Sequence, residues 1–163
     1  VTVCNAERPR QLPLEDLYVA YQQKALEPDE ILAFVRIPKP TPRLRFRNYK
    51  LSKRFDSDIS AVCAAFAIEL EGKNVSKCRI AFGGMAATPK RARNTEEQLL
   101  GQEWNEAAAR VAMEALSKDY APLTDMRASA DYRIKSARNL LYRFYLETRL
   151  VDAMAANELS VFA

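Results

Sequence analysis

Ala61-Val62-Cys63-Ala64-Ala65-Phe66-Ala67-Ile68-Glu69-Leu70 is an apolar run of strand length that ends on Glu71-Gly72-Lys73-Asn74 and resumes as Val75 to Met85. A Gly- and Asn-containing polar break between two apolar runs is hairpin-turn chemistry, so the runs read as paired antiparallel strands. The first is rich in alanine, which lets a neighbouring element pack closely. Upstream, Arg43-Leu44-Arg45-Phe46-Arg47-Asn48-Tyr49-Lys50-Leu51 alternates basic or polar with apolar residues, the period of a half-buried strand. Leu44, Phe46 and the Tyr49 to Leu51 segment are expected to face a core, the arginines the other side. Ile31-Leu32-Ala33-Phe34-Val35-Arg36-Ile37 reads as a further strand, stopped by Pro38, Pro40 and Pro42.

After Pro89 the period lengthens. Asn94 or Thr95, followed by Glu97 or Gln98, has the spacing of a helix cap. Trp104-Asn105-Glu106 opens an alanine-rich helix to about Lys118, and Ser129 caps a third. The third carries Ile134, Ala137, Leu141, Phe144, Tyr145 and Thr148 as an apolar stripe at helical spacing. Strands first and helices second predict an α+β fold: an antiparallel sheet of three to four strands, packed on one face by a bundle of about three helices. The expected division is residues 1–30 as the end of a preceding unit and connector, 31–150 as the α+β domain, and 151–163 as a tail.

The bulk properties narrow the function. At 163 residues, 48% hydrophobic and 28% charged, the chain fits one globular domain with a core. The net charge of +4 is modest for a dedicated nucleic-acid binder. No apolar run reaches the roughly 18 residues that span a bilayer, so no membrane role is expected. Histidine is absent, which removes His-based triads and imidazole metal ligands. Cys4, Cys63 and Cys78 are too scattered to build a zinc or iron–sulfur site. Cys63 and Cys78 sit in apolar runs and are expected to be buried thiols. The lack of a disulfide framework favours a reducing, cytoplasmic setting. Val1-Thr2-Val3 reads as a strand cut mid-course, and the chain as a piece of a longer protein.

Two segments invite a functional reading. Asp56-Ser57-Asp58-Ile59 is an acid-rich turn at the mouth of the alanine-rich strand; on its own it reads first as turn chemistry. Phe82-Gly83-Gly84-Met85-Ala86-Ala87-Thr88-Pro89 ends a strand in a glycine pair. It is no dinucleotide fingerprint, and a plain strand-end turn accounts for it as well. These runs, together with Tyr49-Lys50-Leu51-Ser52-Lys53-Arg54, Asp58-Ile59-Ser60-Ala61-Val62 and Asp125-Met126-Arg127-Ala128-Ser129-Ala130-Asp131-Tyr132-Arg133, resemble the C-terminal domain of the molybdenum-hydroxylase flavoproteins, the CO dehydrogenase flavoprotein family, in its xanthine dehydrogenase branch. The likeness extends from Leu12-Pro13-Leu14 to Leu141-Tyr142-Arg143.

The resemblance implies part of an FAD site, with Asp58 fixing the turn or meeting the flavin edge, Ile59 against the ring, and Lys77 as the match to a flavin-contacting lysine of relatives. It assigns Arg127 and Arg133 to pairing with acids or helix-end carbonyls. It further implies electrons arriving from iron–sulfur clusters and leaving to NAD during purine hydroxylation at a molybdopterin centre. The partners implied are an upstream half holding FAD and the clusters, and a molybdopterin-binding large subunit. The cluster cysteines and a Gly-rich pyrophosphate segment are absent from these residues, so the chain alone is expected to bind FAD weakly and to show no turnover. Aldehyde- or CO-oxidising relatives are an alternative. So is a non-catalytic interaction domain. The basic run Arg43, Arg45, Arg47, Lys50, Lys53 and Arg54 keeps three readings open: a protected sheet edge, an anion or cofactor contact, or nucleic acid.

Overall fold

The computed structural model describes residues 1–54 and 59–159. Within them the chain runs β1 (Thr2–Cys4), β2 (Pro9–Gln11), a 3-10 turn (Leu14–Asp16), β3 (Tyr18–Ala20), β4 (Gln23–Lys24), β5 (Ile31–Phe34), β6 (Leu44–Ser52), β7 (Ser60–Glu71), β8 (Asn74–Gly83) and β9 (Lys90–Arg91). The helices α1 (Arg93–Leu99), α2 (Glu106–Asp119) and α3 (Ala130–Thr148) follow. The expected hairpin is β7–β8, with Gly72 at φ +61° in its turn. Near that turn Ser76 is the extra residue of a bulge, its hydroxyl donating to the Glu69 carbonyl at 3.1 Å. The bulge switches which side chains point inward, so Val75 and then Cys78, Ile80 and Phe82 all bury on one face.

The main sheet has the order β6-β7-β8-β9, all antiparallel. Its fourth strand is the short β9 and not the run at 31–37. That run is regular only over Ile31–Phe34 and pairs with β1 in a separate β2-β1-β5 sheet. Val62, Ala64, Phe66, Ile68 and Leu70 of β7 point to the helices. Phe66 stacks on Phe144 at 5.0 Å and meets Phe82 edge-on at 5.5 Å. Trp104 closes the core and donates its indole N–H to Thr148 Oγ1 at 3.2 Å. This is the expected α+β architecture, one sheet face covered by helices.

Three expectations about side chains are corrected. On β6 the inward set is Tyr49 and Leu51, in phase with Arg47, whose Nε reaches Glu147 of α3 at 2.9 Å; Phe46 is on the open face and 50% exposed. Cys63 is exposed, in phase with Ala65 and Ala67 and out of phase with the core set, whereas Cys78 is buried. Helix α1 has no cap from its own sequence. Its Asn94 and Thr95 amides donate to the Asp119 carboxylate at the end of α2, each at 2.9 Å, and the Thr95 hydroxyl does so at 2.7 Å. Helices α2 and α3 carry the local caps Asn105 and Ser129.

Candidate functional site

Where β7 begins and β8 ends, the open face of the sheet forms one wall of a cavity of about 700 Å³. Ile59, Cys63, Gly83, Gly84, Ala86 and Ala87 give that wall small or apolar residues; Ala121 and Leu123 of the α2–α3 connector add to it. Tyr21, in the turn between β3 and β4, stands at the rim, and Asp125, Arg127 and Arg133 make a charged end.

Gly84 has φ +80°, and a Cβ there would run into the Ala61 carbonyl oxygen and come within 3.0 Å of Arg133 Nη1. The two strand ends therefore approach more closely than any residue but glycine allows. Gly83 is different: a Cβ there would meet Cys63 Cβ at 3.7 Å, an ordinary contact.

Arg133 ties the wall together from the first turn of α3. Its Nη1 donates to the carbonyls of Ala61 and, at 2.7 Å, Gly84; its Nη2 donates to Asp125 Oδ1 at 2.6 Å. The residue is 3% exposed, and its Nε has no partner among the described residues. Asp125 also accepts from the amides of Arg127 at 2.8 Å and Ala128 at 3.1 Å. The Arg127 amide first, with the Ala128 amide and the Arg133 guanidinium, holds its carboxyl down to about 2 against the opposing effect of burial. The pairing expected for Arg127 and Arg133 is thus present, both on Asp125.

Of the site residues proposed from sequence, Ile59 lines the cavity and is 64% exposed. Asp58, with Asp56 and Ser57, lies outside the described residues. Lys77 is opposite Glu69 and ion-paired with it at 3.0 Å. Gly83 lies six positions further along the strand, about 20 Å away, so the structure does not bring Lys77 to this cavity. Sequence reading missed Tyr21, Cys63, Ala121 and Leu123. The Cys63 signal was available in the alternation of β7; the others come from distant loops and leave none.

The basic run is split between roles. Arg47 shares Glu147 with Arg143, at 2.9 and 2.8 Å. Arg43 and Arg45 line a second cavity of about 400 Å³ with Glu147 and Thr148. Among the described residues no group of His, Cys, Asp or Glu is arranged to hold a metal ion, and no helix is long and apolar enough to cross a membrane.

Comparison with known proteins returns a family match over residues 47–148, to the CO dehydrogenase flavoprotein C-terminal domain. Xanthine dehydrogenase of Emericella nidulans is 34% identical over 143 residues, 85% of this chain and 10% of the relative. The xanthine dehydrogenase FAD-binding subunit of Escherichia coli O157:H7 is 31% identical over 126 residues, 77% of this chain and 43% of the relative. Among solved structures, carbon monoxide dehydrogenase from Hydrogenophaga pseudoflava superposes with a TM-score of 0.81 at 27% identity, over 87% of this chain and 49% of that one. The chain spans less than half the length of these relatives.

Proposed function

We propose, starting from a chain that belongs to the CO dehydrogenase flavoprotein C-terminal domain family, that the cavity at Ile59, Gly83 and Gly84 is its share of an FAD site in a molybdenum hydroxylase of the xanthine dehydrogenase class. The observation that carries this is the wall itself. A wall of small residues, Cys63, Gly83, Gly84, Ala86 and Ala87, leaves room against the sheet for a planar ring system, and a cavity of this size takes one. Bound FAD would supply two-electron chemistry between one-electron iron–sulfur carriers and NAD.

Within that site Ile59 packs against the ring and Gly83-Gly84 keeps the backbone close; Asp58, expected from sequence to fix the turn or meet the flavin edge, lies outside the described residues. Lys77, held by Glu69 at the far end of β8, is no part of this wall. The remainder of the flavin site, the clusters and the molybdopterin centre belong to an upstream half and a large subunit. With three free thiols, the setting proposed is cytoplasmic. The substrate proposed is a purine, on the strength of the xanthine dehydrogenase relatives; an aldehyde or CO is the alternative. The nucleic-acid reading of residues 43–54 is weakened because Arg47 is already committed to Glu147.

The test is the visible spectrum and intact mass of the native protein that contains this chain. Flavin and iron–sulfur absorbance is expected, with a flavin band that moves in Ile59→Ala. A colourless protein, or a flavin band indifferent to Ile59, would overturn the reading.

A further inference from the structure

Arg133 is an expensive residue where it stands. A guanidinium buried with an unpartnered N–H costs more than an apolar side chain of the same size would, so core stability alone does not account for it. Its hydrogen bonds converge on one place: the carbonyls of Ala61 and Gly84, which close the gap between the start of β7 and the end of β8, and Asp125 of the connector. All three neighbour or line the cavity. Among the described residues that line the cavity, Asp125 is the one acid, and it serves two arginines, Arg127 at 3.6 Å and Arg133 at 2.6 Å. Among the described residues, the charged end of the cavity therefore sets two guanidinium groups against one carboxylate.

We propose that Arg133 is a positioning residue that clamps the two strand ends forming the wall, and that with Arg127 it gives this end of the cavity a positive field that favours the reduced flavin. This rests on the flavin reading above. Uptake of two electrons and one proton leaves the flavin with one more negative charge than its oxidised form, so a fixed positive charge close by stabilises the product of reduction. The clamp and the field are separable. Arg133 provides both, through a rigid fork that lysine cannot reproduce. Arg127, half-buried at the cavity edge, provides charge without touching either carbonyl.

The experiment uses the full-length protein and FAD, with dithionite as reductant. Arg133→Lys keeps the charge and loses the fork: FAD affinity should fall by about tenfold or more, the worth of one or two hydrogen bonds, while the midpoint potential changes little. Arg127→Gln should leave affinity within about twofold and lower the potential; Asp125→Asn should raise it. Thermal melts check folding, and the Arg127→Gln and Asp125→Asn arms decide the field if Arg133→Lys does not fold. Wild-type affinity in a folded Arg133→Lys overturns the clamp. Potentials unmoved in the other two overturn the field. A wild-type protein that binds no FAD overturns the flavin reading itself, and this inference with it.

Discussion

Two adjacent glycines, Gly83 and Gly84, do different jobs, and substitution separates them. Alanine at Gly84 is forced into a left-handed backbone against a carbonyl that Arg133 holds fixed. Handedness alone costs about 1–2 kcal/mol, and the collision adds to it, so denaturant titration should find Gly84→Ala destabilised by roughly 2 kcal/mol or more. Gly83→Ala meets only a van der Waals contact and should stay within about 0.5 kcal/mol of wild type; equal losses at the two sites would refute this account. The cysteines divide likewise. Burial pushes the Cys78 thiol up to about 12, so a thiolate reagent should modify the exposed Cys63 and spare Cys78 until the protein unfolds, as mass spectrometry of the labelled peptides would record. The Cys63 position was legible in its phase: it alternates with Val62 and Ala64, so one face cannot hold all three. The burial habit of cysteine is an average over proteins and yields to the period of the strand it sits in.

Helix starts were legible where the capping group is local. Asn105 and Ser129 each accept an amide three residues on, at 2.9 and 3.2 Å, and the sequence places both. Helix α1 reads as self-capped, yet its amides go to Asp119, 24 and 25 residues away; no local window contains that partner. Asp119→Ala should therefore cost roughly 2–3 kcal/mol, because it strips a buried carboxylate from several donors, against about 1 kcal/mol for Ser129→Ala. Comparable losses would mean that the long-range cap is dispensable. The phase of β6 was misread for a related reason. Arg47 takes an inward position because Glu147 of α3 waits there to pair with it, and composition alone assigns an arginine to solvent. The connector before α3 adds a pH dependence. The Asp125 carboxyl lies near 2 when folded against about 3.9 unfolded. A depressed carboxyl stabilises the fold above its unfolded value, and that contribution is lost as the pH falls from about 4 towards 2. Asp125→Asn should flatten the acid limb of the stability curve over that window, read by thermal melts at successive pH values.

For the molecule as a whole, folding and flavin binding should come apart. The core between the β6-β7-β8-β9 sheet and helices α2 and α3 is continuous, built from Phe66, Phe82, Trp104 and Phe144, so the unit from β6 to α3 should unfold as one cooperative transition. The cavity proposed to take the flavin has a different status. Its sheet wall and charged end are here, but the chain's four glycines, at 72, 83, 84 and 101, include no loop-to-helix segment to cradle a pyrophosphate, which supplies much of the grip on a dinucleotide. A ligand that binds only the folded state at a hundred times its Kd stabilises it by about 2.7 kcal/mol. Millimolar FAD should therefore leave the Tm of the isolated chain unmoved, while the full-length protein gains several degrees under the same conditions. Calorimetry on both, with and without FAD, separates the cases. A dose-dependent rise in the isolated chain would mean that one wall suffices to hold the flavin, and that the phosphate cradle contributes less than its charge and geometry imply.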